Sequence, residues 1–175
     1  MAKYPEIQEK IREEVHNVDS FSVSDFNPDK LPWLCAVHSE VLRLNSPIQQ
    51  HFRRCVKDVE INGIKFIKGD FVLVPVDALH TAEIYWGDNG NAFSPERFVD
   101  NPDLVKEWFY LPFGGGSRNC IGMRFALMQG RSCTAFLVKN FNIRFAKDFV
   151  DDVTMKVDAL FGKASKPINL HFEKI

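Results

Sequence analysis

A glycine-rich segment at residues 113–122, F-G-G-G-S-R-N-C-I-G, places one cysteine where a loop is predicted to enter a helix. The first N–H groups of a helix have no internal partners and carry partial positive charge. A sulfur at that point, here Cys120, is stabilised as a thiolate and receives N–H···S hydrogen bonds. Gly116 permits a turn that a larger residue resists, and Gly122 leaves bare backbone against which a flat molecule can lie. Arg118 can reach a carboxylate or phosphate on the same surface.

Other chemistries of glycine-rich loops fit this segment less well. No G-K-[ST] follows the glycines, which excludes a phosphate-binding P-loop. Ser117 lacks the G-x-S-x-G frame of a serine hydrolase. A thiol enzyme with Cys120 as a low-pKa nucleophile is the weakest alternative, because no histidine stands at a recognisable partner spacing. Taken residue by residue, a plain helix-capping turn with a buried cysteine stays as open as a thiolate site.

The composition is that of an ordinary globular domain. The 175 residues are 45% hydrophobic and 26% charged, and 22 basic against 23 acidic residues give a net charge of −1. No global field therefore favours nucleic acid or an anionic membrane as a partner. No apolar stretch reaches the length of a membrane-spanning helix, and no signal peptide precedes the first charged residues.

The other three cysteines show no C-x-x-C pairing and no zinc-type spacing. Their pattern indicates a reducing compartment without a disulfide framework. We expect Cys35, Cys55 and Cys133 to be small core residues, since each lies in an apolar or mixed segment. We also expect the five histidines, which are scattered along the chain, to be structural or exposed.

The elements that would position the cysteine loop follow from periodicity and turn residues. Apolar residues that recur on one face predict helices at 5–16, 32–44 and about 121–138. Strands are predicted between 52 and 76 around the Asn62-Gly63 hairpin turn, with closing strands at 141–145 and 168–172. A short helix at 77–84 and a long irregular stretch at 86–112 complete the chain, and residues 17–30 form a loop with at most one short helical turn. The order is that of an α+β fold.

Read as a whole, the cysteine segment resembles the haem-binding loop of the cytochrome P-450 family. Phe113, Gly116, Arg118, Cys120 and Gly122 match its F-x-x-G-x-R-x-C-x-G signature position for position. Two further family motifs stand in the same order, E-x-x-R at 40–43 and P-E-R-F at 95–98. The runs at 55–63 and 118–128 are similar to the animal clan that includes the main liver drug-oxidising enzymes. The resemblance covers the chain from about Ala2 to Ile175.

The resemblance implies a role for each matching residue. Cys120 is expected to be the axial ligand of the haem iron, with Phe113 shielding the sulfur and Gly116, Arg118 and Gly122 completing the cofactor site. Arg53 would reach a haem propionate, although the adjacent Arg54 is equally basic. A structural ion triad is implied for Glu40, Arg43 and Arg97. Substrate contacts are implied, in an intact enzyme, for Ile48, Gln49, Gln50, His51, Leu160 and Phe161.

At the level of the protein, the resemblance implies the mainly helical P-450 fold, with residues 1–175 as its C-terminal haem-binding portion and the N-terminal part absent. The expected cofactor is haem b, and the expected activity is insertion of one oxygen atom from O₂ into an apolar substrate. Electrons would come from NADPH through a reductase, at the cytosolic face of the endoplasmic reticulum membrane for the intact enzyme. The alternative is a catalytically incompetent haem-binding or interaction fragment, and we expect no turnover from this chain alone.

Overall fold

The computed structural model describes residues 1–16, 18, 22–151, 153–158 and 161–175. Its helices and strands occur in groups along the chain, two helices, four strands, four helices and four strands. The α-helices are α1 (Pro5–His16), α2 (Pro32–Leu44), α3 (Val76–Thr81), α4 (Glu83–Trp86), α5 (Glu96–Asp100) and α6 (Met123–Asn140). The strands are β1 (Gln50–Arg54), β2 (Val59–Ile61), β3 (Ile64–Phe66), β4 (Phe71–Pro75), β5 (Phe141–Phe145), β6 (Met155–Asp158), β7 (Phe161–Ala164) and β8 (Leu170–Lys174). Short 3₁₀ turns lie at Val23–Asp25, Pro102–Lys106 and Gly116–Arg118.

Helices α1 and α2 have the predicted bounds, because each begins at a proline that suits the first helical turn and carries one apolar stripe. The stripe of α1 is buried, with Ile11 and Val15 fully covered. It packs with Leu34 of α2 and with Ala135 and Val138 of α6 in one hydrophobic cluster. Three helices thus form the core on which the cysteine loop rests.

The strands form four separate two-stranded antiparallel sheets, β1–β4, β2–β3, β5–β8 and β6–β7. Asn62 and Gly63 both have positive φ, 51° and 78°, so the predicted hairpin turn joins β2 to β3. In the β1–β4 sheet, His51 lies opposite Val74 and Arg53 lies opposite Val72. The His51 imidazole is hydrogen-bonded to the Leu111 carbonyl, so β1 lies beside the start of the cysteine loop.

Several predicted bounds are wrong in detail. The helix predicted at 77–84 is two short helices, α3 and α4, with an extended residue, Ala82, between them. Helix α6 begins at Met123 and ends at Asn140, two residues later than predicted at both ends. The last strand is likewise shifted, to Leu170–Lys174, because its register is set by pairing with β5. Strands β6 and β7 were not among the predicted strands.

The stretch from 86 to 112 is irregular apart from α5 and a 3₁₀ turn, and it is anchored by aromatic side chains. Trp86, Phe98 and Tyr110 are buried and pack around Ala36 of α2. The Tyr110 hydroxyl donates a hydrogen bond of 3.0 Å to the carbonyl of Ser39. The segment is therefore held firmly to α2, directly before the cysteine loop begins. In the described part of the chain, none of the helices is both long enough and apolar enough to cross a bilayer.

Candidate functional site

The cysteine loop is closed by its own backbone. The N–H of Cys120 donates to the carbonyl of Phe113 at 2.8 Å, and Asn119 N–H donates to the carbonyl of Gly116 at 3.2 Å. Gly114 and Gly116 adopt φ values of 75° and 69°, which a residue with a side chain reaches only under strain. The loop therefore needs glycine at these two positions, and it places Cys120 three residues before the first residue of α6.

The sulfur of Cys120 lies at the surface, among apolar groups. Cys120 is exposed, and its neighbour Ile121 is completely exposed. Phe125, one helical turn further on, is 63% exposed. A Cβ built on Gly122 would lie 3.8 Å from the Cys120 sulfur. Because Gly122 has no side chain, the space beside the sulfur stays open. The arrangement presents an exposed thiol between the exposed polar residues 117–119 and the exposed apolar side chains of Ile121 and Phe125.

The cysteine loop, which we define as residues 111–122, begins at Leu111. The two peptide groups of Leu111 are each hydrogen-bonded to a histidine. Leu111 N–H donates to Nε2 of His80 at 2.8 Å. The Leu111 carbonyl accepts from Nε2 of His51 at 3.0 Å and from the N–H of Gly114 at 3.1 Å. Both histidines come from other elements, β1 and α3. Sequence reasoning did not single out this contact of His51 or any role for His80, because a lone histidine carries no local signal of its partner.

The residues of the expected ion triad converge under the irregular stretch. The carboxylate of Glu40 contacts Nε of Arg43 at 2.7 Å and Nε of Arg97 at 3.3 Å. The side chains of Glu40 and Arg43 are fully buried, while that of Arg97 is 16% exposed. The N–H of Ser94 also donates to Glu40, at 2.8 Å. Buried charges are tolerated when they are paired and hydrogen-bonded in this way.

Arg43 uses all five of its N–H donors. Two go to Glu40, and the other three go to the carbonyls of His80, Gly90 and Ala92. The guanidinium also lies over the Trp86 ring, with its Cζ 4.8 Å from the ring centroid. A lysine has three donors on a point charge and cannot reproduce this pattern. Arg43 therefore ties α2 to the backbone of α3 and of the irregular stretch.

The two adjacent arginines of β1, Arg53 and Arg54, point to opposite faces of the strand. Arg53 lies on the same face of the strand as His51, because side chains two residues apart point to one side. His51 faces the cysteine loop, so Arg53 lies on the side of that loop, where it is exposed. Arg54 points to the other face and stacks on Phe71 across the sheet, with its Cζ 5.5 Å from the ring centroid. Arg118, within the loop, is exposed.

The two groups of expected substrate contacts meet. Ile48 forms a β-bridge with Phe161, and the N–H of Gly162 donates to the carbonyl of Pro47 at 2.8 Å. Gln49 is half-buried, and its carbonyl accepts from the N–H of Val76 at 2.8 Å. Gln50 is exposed, and Leu160 lies outside the described residues. The His51 imidazole is bonded to the carbonyl of Leu111.

The expectation for the other cysteines is correct for Cys35 only. Cys35 is buried, and burial raises the pKa of its thiol to about 11. Cys55 is only partly buried, and Cys133 is exposed. Cys133 lies on the same outer face of α6 as Phe125 and Phe136, and within the described residues this face has no covering layer. The prediction for Cys133 failed because the apolar residues around it in sequence do not all lie on the buried face of α6, and Cys55 lies in the loop between β1 and β2.

Two histidines are structural and neutral. Burial lowers the pKa of His80 to about 4, and burial together with the nearby Arg131 lowers the pKa of His38 to about 4. His38 Nε2 is 3.1 Å from the hydroxyl of Thr134 on α6. His80 also stacks on Tyr110, with ring centroids 5.3 Å apart. Both rings therefore act as neutral hydrogen-bonding groups.

Two cavities flank these elements. One of about 200 Å³ lies directly behind the cysteine loop and is lined by apolar side chains including Phe113, Met123 and Leu127. A larger apolar cleft of about 580 Å³ lies between the N-terminal residues, α2, α6 and the β5–β8 sheet. None of residues 113–122 lines the larger cleft, so we do not assign it to the chemistry of Cys120.

The comparisons with known proteins agree with the motifs. The family model described as Cytochrome P450 matches residues 1–172. The chain is similar to human cytochrome P450 3A5, with 36% identity over 168 residues that cover 90% of this chain and 31% of the relative. It is similar to guinea pig cytochrome P450 3A14, with 36% identity over 174 residues that cover 97% and 34%. The mouse relative, cytochrome P450 3A16, is 38% identical over 160 residues that cover 85% and 30%.

The chain belongs to the cytochrome P450 family, and its helices and small antiparallel sheets are those of that α+β fold. The clan suggested by residues 55–63 and 118–128 is also confirmed, since the relatives are animal P450 proteins of the 3A group. The chain spans about a third of the length of the curated relatives it matches.

The residues present fit a haem group. An exposed sulfur stands next to the exposed apolar side chain of Ile121, and Gly122 leaves flat backbone beside it. The cationic Arg118 and Arg53 lie exposed on the side of the same loop, where they would meet carboxylates. Elsewhere in the described residues, His, Cys, Asp and Glu side chains do not gather in groups of three or more that could hold a metal ion.

Proposed function

We propose that this chain supplies the thiolate-bearing side of a haem-thiolate monooxygenase, in which Cys120 would bind the haem iron through its sulfur. The observation that carries the proposal is the exposed Cys120 sulfur at the end of a loop closed by the Cys120–Phe113 backbone bond. A ligand sulfur must be reachable and must be held in one place, and this loop provides both. Membership of the P450 family supports the same assignment.

The surrounding residues would bind and orient the haem. Gly122 and Ile121 would lie against the ring, where bare backbone and an apolar side chain exclude water. Phe113, half-buried beside the cavity behind the loop, would shield the sulfur from the other side. Arg118 and Arg53 would bind the two propionates, and the cross-strand stacking of Arg54 on Phe71 supports Arg53 over its neighbour.

When bound, haem b would supply reductive activation of O₂ and transfer of one oxygen atom to an apolar substrate, with the other oxygen leaving as water. This chain would hold the haem through Cys120 as a thiolate, whose electron donation would suit the iron to that chemistry. Hydrogen bonds from the start of α6 to the sulfur, which remain a prediction, would tune its donor strength. Ile48 and Phe161, joined by their β-bridge, would contribute to the wall that contacts substrate.

For the intact enzyme, we propose a location at the cytosolic face of the endoplasmic reticulum membrane. Electrons would pass there from NADPH through a reductase. The support for both statements is the similarity to the 3A relatives.

A second candidate function is haem binding without catalysis. It is favoured by the position of the two cavities, because Cys120 lines neither the cavity of about 200 Å³ nor the cleft of about 580 Å³, so neither would hold a substrate beside the sulfur. Positioning of reactants can account for about 7–11 kcal/mol of a barrier, and neither cavity would provide it near the iron. We propose that the 175-residue chain alone binds haem but lacks turnover.

The ligand assignment is tested by titrating the purified chain with haem and recording the ferrous–CO spectrum. We expect a partial thiolate-type band that Cys120→Ala abolishes. Cys133→Ala is the matched control, because Cys133 is also an exposed thiol on the same stretch of chain, and we expect it to keep the band. An unchanged spectrum in Cys120→Ala would show that another residue binds the iron.

The two candidate functions are separated by a product assay with a reductase and NADPH at equal haem loading. Oxygen consumption without product supports the non-catalytic candidate for this chain. Coupled product formation at rates near those of intact relatives supports a competent monooxygenase and contradicts the expectation of no turnover.

A further inference from the structure

We propose that His51 and His80 are positioning residues for Cys120, acting through the two peptide groups of Leu111. We call this pair, with Leu111, the Leu111 clamp. The inference rests on the proposed role of Cys120 as iron ligand and extends it. It assigns to two histidines the task of setting where the sulfur stands.

The role of His80 follows from its hydrogen bonds. Leu111 N–H can only donate, so Nε2 of His80 must accept and carries no proton. The proton is then on Nδ1, which donates to the carbonyl of Arg43 at 2.9 Å. His80 is fully buried and can keep both bonds only as the neutral Nδ1–H tautomer. It therefore connects the backbone of α2, beside the buried Glu40–Arg43 pair, to the first residue of the cysteine loop.

His51 holds the other side of the same residue. The Leu111 carbonyl can only accept, so Nε2 of His51 must donate. A Cβ built on Gly114 would lie 3.7 Å from this Nε2 and 3.9 Å from the adjacent Cε1, so the glycine leaves the ring just enough room. Because the Gly114 N–H also donates to the Leu111 carbonyl, His51 braces the turn from which the loop departs.

The two contacts together restrict the sulfur. From Leu111 the loop reaches Phe113, whose carbonyl accepts the N–H of Cys120 itself. Movement of Leu111 would shift Phe113 and with it the Cys120 backbone. A misplacement of about 1 Å in a reacting or ligating group is enough to cost on the order of a hundredfold in rate. The histidines thus act on ligation without touching the iron.

The test compares His51→Leu, which removes the donor, with His51→Gln, whose amide N–H replaces Nε2–H. His171→Leu is the matched control, because it makes the same change at an exposed histidine on β8. The first readout is haem-free: amide hydrogen exchange at Gly114 and Cys120 in the full chain. Loss of one neutral hydrogen bond corresponds to roughly a tenfold change in local opening. We expect about that increase in His51→Leu, and rates near wild type in the other two variants.

The second readout is the ferrous–CO spectrum of the haem-loaded chain. We expect His51→Leu to convert a large part of the thiolate-type band to the type given by a protonated or displaced sulfur, and His51→Gln to restore it. Wild-type exchange rates and spectrum in His51→Leu would overturn the clamp while leaving Cys120 as ligand. A thiolate band that survives Cys120→Ala would instead overturn the proposed function.

Two further outcomes are decisive. If His51→Leu speeds exchange equally at Gly114 and in α1, the effect is on global stability and the clamp is overturned. If the increase is confined to residues 111–120, the clamp is supported even where the variant is less stable overall. His80→Gln keeps an acceptor for Leu111, and we expect it to retain more of the thiolate band than His80→Leu.

Discussion

The buried ion network, formed by Glu40, Arg43 and Arg97, and the cysteine loop are adjacent regions that are held in place by different interactions. In the network, Glu40 and Arg43 are fully buried, and their side chains are bonded to each other and to three backbone carbonyls of two other segments, α3 and the irregular stretch. In the loop, Arg118 and Cys120 are exposed, and the shape is held by backbone hydrogen bonds and two left-handed glycines. The charged groups of the network stabilise the fold, whereas the polar side chains of the loop remain available to a ligand.

The difference teaches which substitutions should affect folding and which should affect chemistry. A residue whose donors are all used inside the protein, such as Arg43, has nothing left for a ligand. A residue such as Cys120, which is held only through its backbone, can change its side chain with little effect on the fold. His80 belongs to both regions, because one ring nitrogen is bonded to Arg43 and the other to the start of the loop.

The largest effect is expected in the network. Glu40→Ala leaves the buried guanidinium of Arg43 without its carboxylate, so we expect unfolding to become easier by about 3–5 kcal/mol. Arg43→Lys should also be strongly destabilising, although it keeps the charge, because carbonyl acceptors are left unpaired. Chemical denaturation of the haem-free chain measures both changes.

The matched control for Glu40→Ala is Glu173→Ala. Glu173 also pairs with an arginine, Arg144, at 3.4 Å, but more than half of each side chain is exposed. Exposed pairs contribute about 0–1 kcal/mol, so this variant should unfold almost like the wild type. Equal losses in the two variants would contradict the distinction between a buried network and surface pairs.

A smaller effect is expected from pH, through His80. Its pKa is about 4 in the folded chain, lowered from 6.5 mainly by burial, so the folded state favours the neutral ring. The stabilisation is fully present above about pH 6.5 and is lost as the pH falls towards 4. The shift corresponds to on the order of 3 kcal/mol at most. The unfolding free energy should decrease as the pH is lowered from 7 to 4.

His80→Gln isolates this contribution, because glutamine accepts from Leu111 and does not titrate. His38 also has a pKa of about 4, so a part of the pH dependence should remain in the variant. We expect a shallower fall of stability with pH in His80→Gln than in wild type. An identical slope would mean that the ring of His80 is not kept neutral by folding.

The smallest effect on stability is expected in the loop. Arg118→Ala and Arg53→Ala remove exposed cations, and we expect unfolding free energies within about 0.5 kcal/mol of wild type. Haem affinity should nevertheless fall, because each variant would lose the charge-assisted bond to a propionate that we propose for its arginine. Fluorescence quenching on haem titration measures the affinity. Arg54→Ala is the matched control on β1, and we expect it to leave haem affinity unchanged. If Arg54→Ala weakens haem binding as much as Arg53→Ala does, the assignment of Arg53 to a propionate is wrong.

Much of this molecule could be predicted from local sequence. Pro5 and Pro32, each followed by one apolar stripe, were enough to give the bounds of α1 and α2, because a helix start and a helix face are local properties. Asn62-Gly63 predicted its hairpin for the same reason, since the turn needs positive φ at both residues. The spacing of the cysteine segment identified the family, which the family model confirms.

Other features depended on contacts between distant residues. The start of α6 was predicted two residues early, since the N–H of Met123 closes a turn onto the Cys120 carbonyl and the helical bonds begin only with Ala126 N–H to the Gly122 carbonyl. Cys133 was assigned to the core, although only the packing of α6 decides which of its faces is covered. The ends of β8 depended on its register with β5, which no local signal encodes.

The sequence by itself therefore determined the family, the helices of the core, the hairpin turn and the identity of the sulfur that we propose as ligand. Only the tertiary structure decided that Arg53 and not Arg54 lies on the face of the cysteine loop, and that His51 and His80 meet at Leu111. The physical reason is distance along the chain. Leu111 is bonded to side chains 60 and 31 residues away, and such partners become neighbours only when the strands and helices that carry them have packed.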